Sequence, residues 1–338
     1  MTIINGIEID IGKTPKDETK TAITNNDPIE DKLHVITVVS NPCQYARRFI
    51  LAREFIKYME TENNVILYVV ELVYGNQKFY VTDKNNKRHL QLTGTVPLWH
   101  KENMINLGVK LLPKNWKAMA WIDADIEFDS NSWASDALKI LNGSKDIIQL
   151  FSHALDMDKN KKSMTVFSSF GYQYCKGKKY GEKGLEYWHP GYAWACTRKA
   201  YEKMGGVFEY GILGSSDHIM ALSLIGQGVK GVDDKSTDGY KKKILEFQAN
   251  VKNFRLGYVP NVIRHHFHGS KKNRKYTERW QILVKHLYDP YEHLEFDKEN
   301  LENNNCKVLI PTAKCPKVLI DDIFKYFEER NEDEGYLE

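Results

Sequence analysis

Trp121-Ile122-Asp123-Ala124-Asp125-Ile126-Glu127-Phe128 follows Lys117-Ala118-Met119-Ala120, so an apolar run ends where two acids appear with one residue between them. That is the pattern of the C-terminal end of a buried strand, the place where open α/β sheets bind ligands. Residues i and i+2 of a strand face the same way. Asp123 and Asp125 would then present two carboxylates to one hard cation while Ile122, Ala124 and Ile126 face the core. Such a pair reads as a site for Mn²⁺ or Mg²⁺ holding a diphosphate. Taken alone it reads sooner as a strand end whose acids open a turn, and the rest of the chain tips the balance.

Upstream, Leu33-His-Val-Ile-Thr-Val-Val39 is a β-branched strand broken by Ser40-Asn41-Pro42, and Gln44 to Met59 carries helical periodicity. A second strand, Val65 to Val70, ends in Glu71, and the polar excursion from Asn76 to Lys87 suits a hairpin. This βαβ unit predicts a parallel sheet. An amphipathic helix from Trp99 to Leu111 leads into the acidic strand and could aim Lys101 and Asn106 at it, with Pro113 closing it.

Downstream, a helix from Trp133 to Leu141 and a strand from Asp146 to Phe151 precede a long Lys- and Gly-rich stretch, residues 156–187, with Tyr172, Tyr174 and Tyr180 interleaved. So long a loop is a lid or a solvated excursion. It runs into Trp188-His189-Pro190-Gly191-Tyr192, small and aromatic residues suited to a backbone approaching a flat ligand. Gly214-Ser215-Ser216-Asp217 opens an apolar helix, where Asp217 is placed either as an N-cap or as a base. Then come His265, His266 and His268 beside Arg264, Lys271, Lys272 and Arg274. An imidazole can complete the shell of Mn²⁺ and the cations can hold phosphates. Adjacent strand residues face opposite ways, so His265 and His266 are not expected to share one ion.

The 338 residues, 42% hydrophobic, suffice for one large α/β domain. Forty-eight basic against forty-five acidic residues, a net charge of +3, do not argue for a nucleic-acid or membrane surface. No apolar run spans a bilayer and the start lacks the marks of a signal peptide, which predicts a soluble cytoplasmic protein. The five scattered cysteines suggest reduced thiols. The expected organisation is an N-terminal segment loosely attached over 1–31, a domain over 32–290, and a C-terminal extension over 291–338. That extension holds an Asn-rich linker and an amphipathic helix read as an appendage.

Taken in order, the Asp-x-Asp, the Gly-aromatic segment, Gly-Ser-Ser-Asp and the His cluster resemble the GT-A glycosyltransferases. They are most similar to the inverting β-galactosyltransferase and polypeptide N-acetylgalactosaminyltransferase group over residues 33–288. The resemblance implies an α/β GT-A fold, with a mostly parallel central sheet flanked by helices. It also implies a metal-dependent, hexosyltransferase-like enzyme that moves a sugar from a nucleotide-sugar donor, a UDP-sugar, to an acceptor hydroxyl. The acceptor is open among glycan, protein, lipid and modified nucleic acid. By position, Asp125 corresponds to the direct ligand of Mn²⁺ or Mg²⁺, Asp123 to a residue touching ribose or sugar, and His265 or His268 to a further ligand. Asn41, Pro42, Arg47 and Glu71 fall where that group holds uracil and ribose, Lys101 near the diphosphate, and Asp217 at the base. Ser216 stands where the group has Glu. The alternatives are a sugar-nucleotide nucleotidyltransferase, for which Ser40-Asn41-Pro42-Cys43 is a poor phosphate loop, and a non-catalytic sugar-binding module.

Overall fold

The structure, a computed structural model, describes residues 2–4, 6–181, 187–276, 278–298 and 306–335. The segment expected to be loosely attached carries a hairpin, β1 (Thr2–Ile4) and β2 (Ile7–Ile9), and a helix, α1 (Lys16–Thr24). Ile4 and Ile9 are buried against Leu155, Met157 and Val262, which fastens the hairpin to the body. The predicted βαβ unit follows as β3 (Leu33–Ser40), α2 (Ala46–Thr61) and β4 (Val65–Tyr74), the last running past Glu71. The Asn76 to Lys87 excursion does not make a hairpin. It leads into β5 (His89–Gly94), which pairs with β4 in parallel.

Next come α3 (Lys101–Gly108), β6 (Ala118–Ile122), β7 (Ile126–Phe128), α4 (Trp133–Leu141) and β8 (Ile147–Gln149). The expected 156–187 loop is largely built. The strands β9 (His153–Met157) and β10 (Ser163–Ser169) pair antiparallel, and α5 (Phe170–Cys175) follows, while Lys183 and Gly184 lie outside the described residues. The chain continues through β11 (Trp188–His189), β12 (Ala193–Thr197), α6 (Arg198–Met204), α7 (Ser216–Leu224) and α8 (Asp238–Val251). It then runs through β13 (Leu256–Tyr258), β14 (Val262–His265), α9 (Trp280–Lys285), α10 (Pro290–His293), β15 (Leu294–Phe296), β16 (Leu309–Pro311) and α11 (Lys317–Glu329). Most of the Asn-rich linker lies outside the described residues. Among those residues, no helix is long and apolar enough to cross a membrane.

The central sheet runs β13-β8-β12-β6-β3-β4-β5, with β12 alone reversed among six parallel strands. Both faces are covered, and the period of two shows how. Ala118, Ala120 and Ile122 of β6 pack with Phe55 and Met59 of α2 and Trp133 of α4. Met119 and Trp121 face the other core, with Met104 of α3, Met220 of α7 and Tyr240 of α8. Burying one such large side chain contributes about 1.5–3 kcal/mol. Gly108 lets α3 lie close on the sheet, since a Cβ there would stand 2.9 Å from Cγ2 of both Ile36 and Val70.

A second sheet, β11-β10-β9-β14-β7, meets the first where the chain passes from β6 to β7, which is the Asp123-Ala124-Asp125 turn. The C-terminal extension is not an appendage. Leu319, Ile323, Tyr326 and Phe327 of α11 belong to the main core. The β15/β16 pair is pinned from α3's side by His100 Nε2 donating to the Leu309 carbonyl at 2.7 Å and by Asn103 accepting from Leu309 N at 3.0 Å. The helix thereby delivers its far end to the cavity described next.

Candidate metal and nucleotide site

A cavity of about 750 Å³ opens at the C-terminal ends of β3 and β6. At its centre β6 stops at Ile122 and β7 begins at Ile126, so the two acids lie in a turn and diverge. Asp123 is held at the backbone by Tyr192 O, 2.9 Å from its N, and its carboxylate pairs with Lys101. Asp125 turns to the other side, with Oδ2 2.9 Å from His268 Nε2 and 3.7 Å from His265 Nε2. Where both carboxylates were expected to face one cation, they diverge here, and the potential ligand atoms that lie within 4.8 Å of one another are those of Asp125, His265 and His268.

The surroundings prepare these three residues. Asp156, an acid inside the apolar strand β9, accepts from His265 Nδ1 at 2.8 Å, which leaves Nε2 facing Asp125. Tyr192 OH and Lys271 hold Asp156 in turn. Burial works against the His265 charge, but the Asp125 and Asp156 carboxylates outweigh it and hold the imidazole up at about 8. Burial likewise opposes the Asp125 charge, and His265 and His268 hold that carboxyl well below its usual range. Burial, with Arg274 beside it, pushes His268 down. One oxygen, Asp125 Oδ1, is buried without a hydrogen-bond partner. A carboxylate with an unpartnered oxygen, flanked by two imidazoles each backed by a carboxylate, is the donor set that a divalent cation such as Mn²⁺ fits.

His266, the first residue after β14, stands outside the set. Its ring faces Glu127 at 3.5 Å, although its backbone N holds Asp125 O at 2.8 Å. Of the flanking cations, Lys271 and Arg274 line the cavity, while Arg264 pairs with Asp129. Lys101 lines it too. Burial opposes its charge, but Asp123, Glu102 and Asp217 hold it up, so the ammonium stays a cation.

Asp217 also lines the cavity. It is not the N-cap of α7, a position taken by Ser215 in the left-handed region at φ 69°. Its Oδ1 accepts from His218 N at 2.8 Å, and its Oδ2 faces Gly191, where a Cβ would stand 2.7 Å away. Gly191 is therefore a residue that any side chain would drive into the carboxylate. His189 stacks on Tyr192 with centroids 4.1 Å apart, and burial pushes its imidazole down to about 4, so it is neutral.

The other residues singled out from the sequence resolve differently. Asn41 and Pro42 line the cavity, but the Asn41 amide holds its own loop, bonding Tyr45 N at 3.0 Å and Tyr45 O at 2.8 Å. Arg47 does not line it and reaches the Phe267 carbonyl at 3.0 Å, whereas its neighbour Arg48 does line it. Asn106 braces the Tyr201–Val207 segment, and Trp188 packs on Phe170 and Tyr180 in the core. Glu71 is buried and holds a loop, accepting from Tyr80 N, Val81 N, Thr82 N and Thr82 Oγ1 at 2.6–3.1 Å. Glu71→Ala is therefore expected to destabilise the fold by roughly 2–4 kcal/mol, because buried donors lose a charged acceptor. Urea unfolding beside nucleotide titration checks this. A large affinity loss at unchanged stability would restore Glu71 to the ligand.

Residues that the sequence did not flag complete the wall. Phe327, Arg330 and Glu332 arrive from the C-terminal end of α11. Glu332 is fully buried, bonds Arg48 Nε at 2.8 Å and Arg330 Nε at 2.7 Å, and stands 3.6 Å from His268 Nδ1. Arg330 lies over the Trp99 ring at 5.1 Å. Tyr187, Tyr276 and Arg279 line the cavity as well.

No protein-family model matches the chain, and no curated protein matches it. Among solved structures, a mutant of Drosophila β-1,4-galactosyltransferase 7 complexed with manganese, UDP-Gal and xylobiose is similar at 10% identity and TM-score 0.39, over 83% of this chain and 93% of its own. GalNAc-T7 with UDP, GalNAc and Mn²⁺ is similar at 12% identity and TM-score 0.36, over 74% of this chain and 48% of its own. A 4-diphosphocytidyl-2C-methyl-D-erythritol synthase from Anaerococcus prevotii is similar at 11% identity and TM-score 0.34, over 68% and 88%. At such scores the reading of the site rests on its own residues.

Proposed function

We propose that this protein is a metal-dependent glycosyltransferase of GT-A type, moving a hexose from a UDP-sugar to an acceptor hydroxyl with inversion. The observation that carries the reading is the Asp125, His265 and His268 cluster, in a cavity that is also lined by the cations Lys101, Arg274 and Arg330 and by the Asp217 carboxylate. Cations around a metal-ligand set suit a diphosphate, and a carboxylate in the same cavity suits a base. Mn²⁺ held by Asp125, His265 and His268 would supply charge neutralisation for the leaving nucleoside diphosphate.

The chain's own groups do the rest. Lys101 and Arg274 hold and neutralise the phosphates, and Gly191 and His189 give the sugar a close backbone and a neutral ring. Asp217 takes the proton of the acceptor hydroxyl. The oxygen attacks the anomeric carbon as its bond to the diphosphate breaks, and the diphosphate leaves with the electron pair. The protein incubated with UDP-sugars and Mn²⁺ is expected to release UDP slowly by transfer to water and to stop on chelation, followed by coupled UDP detection. No release from any UDP-hexose, with UDP binding intact, would favour a sugar-binding module.

A further inference from the structure

Beneath the main cavity lies a smaller one of about 10 Å³, room for a single water-sized group. Lys101, Glu102 and Asp217 line both, and Ser216, Trp121 and Trp194 close the small one. Two of its polar groups are unusual. Glu102, on the first turn of α3, is 7% exposed, and its carboxyl takes a hydrogen bond from its own backbone N–H. Ser216 is 1% exposed, and its Oγ is buried with no partner. An unpaired buried hydroxyl such as that of Ser216 costs about 1–3 kcal/mol of desolvation that no hydrogen bond offsets. Burial pushes the Glu102 carboxyl up to about 8, with Lys101 opposing and Asp217 adding to the rise, so at neutral pH it is an acid with a proton to donate.

A buried acid and an unpaired hydroxyl lining one pocket of this size are what a site built to hold one hydroxyl presents. The pocket lies between Lys101, which is paired with Asp123 on the metal side, and Asp217. A sugar in transfer has to span that same interval, joined at one end to the diphosphate and attacked from the other.

We propose that Glu102 and Ser216 form a hydroxyl-reading subsite that seats one hydroxyl of the transferred sugar and so selects the donor. This rests on the transferase reading above. Glu102 is thereby a specificity-determining residue that touches the sugar while leaving the nucleotide to other groups.

The test is calorimetry with Mn²⁺, comparing UDP alone with UDP-glucose, UDP-galactose, UDP-N-acetylglucosamine and UDP-xylose, together with melting curves. In the unchanged protein the best and worst UDP-sugars are expected to differ by about 10- to 100-fold, the worth of one paired hydroxyl. Glu102→Leu and Ser216→Ala are expected to bring that ratio close to one with UDP affinity held. Glu102→Gln, which keeps the shape and donor capacity of the neutral acid, is expected to preserve most of it. Glu102→Leu is also expected to melt no lower than the unchanged protein, since it removes a carboxyl whose burial is unfavourable.

Discrimination that survives in both Glu102→Leu and Ser216→Ala overturns the subsite alone. So does a melting loss in Glu102→Leu that Glu102→Gln repairs without any change in discrimination. Absence of Mn²⁺-dependent UDP binding by the unchanged protein removes the transferase reading, and the subsite with it.

Discussion

Asp125→Ala is expected to weaken Mn²⁺-dependent UDP binding by at least roughly 10²-fold, since even residues that only orient metal ligands are worth 10- to 100-fold. The fold should tolerate the change. Asp125 contributes no apolar contact to the core, and without its charge His265 keeps its bond to Asp156 at 2.8 Å and can give up its extra proton. His266→Ala is the internal control. Its ring faces Glu127, outside the cluster, so UDP affinity is expected to hold. Calorimetry on both variants, with and without Mn²⁺, reads the difference. Undiminished UDP binding in the Asp125 variant would remove the metal assignment, and a loss equal in the His266 variant would point to a structural effect of the loop.

The contrast between these two histidines shows what the sequence exposes and what it hides. His265, His268 and Asp125 were legible because their chemistry sits in short runs whose composition is unusual, and the alternation of a strand already separated 265 from 266. The βαβ start and the acidic strand end were legible for the same local reason. Glu71 was not, because an acid at that point of a strand looks the same whether it faces a nucleotide or, as here, gathers the amides of residues 80–82. Arg48 and Glu332 were out of reach altogether, because their bond joins positions 284 apart in the chain. No local pattern announces that a C-terminal helix returns to wall a site. Glu102 is the subtler case: its helix was recognised and Lys101 singled out, yet the next residue points into the floor. A charged residue inside an otherwise apolar helical face was the available signal.

Asp217→Asn is expected to lower turnover by roughly 10²–10⁴-fold with UDP-sugar affinity nearly unchanged, because the amide cannot accept the acceptor's proton. The geometry makes this substitution a clean one. Asp217 does not cap α7, so no cap is lost, and an Asn Oδ1 can keep the bond from His218 N that Asp217 makes at 2.8 Å. The opposite face meets Gly191, where only a side chain of the same size avoids the backbone. Melting temperature should therefore hold. Turnover and melting measured together separate the readings: lost turnover with a preserved melt supports the base, and near-normal turnover rules it out. A fall in both would mean that the Asp217 charge holds Lys101 and Asp123 in place, which Kd for UDP would then also register. The stereochemistry of the product adds an independent constraint. Single displacement by an oxygen deprotonated at Asp217 inverts the anomeric carbon, so NMR of the product formed by the unchanged protein is expected to show inversion. Retention would exclude the role of Asp217 as base in a single displacement, whatever the variant's rate.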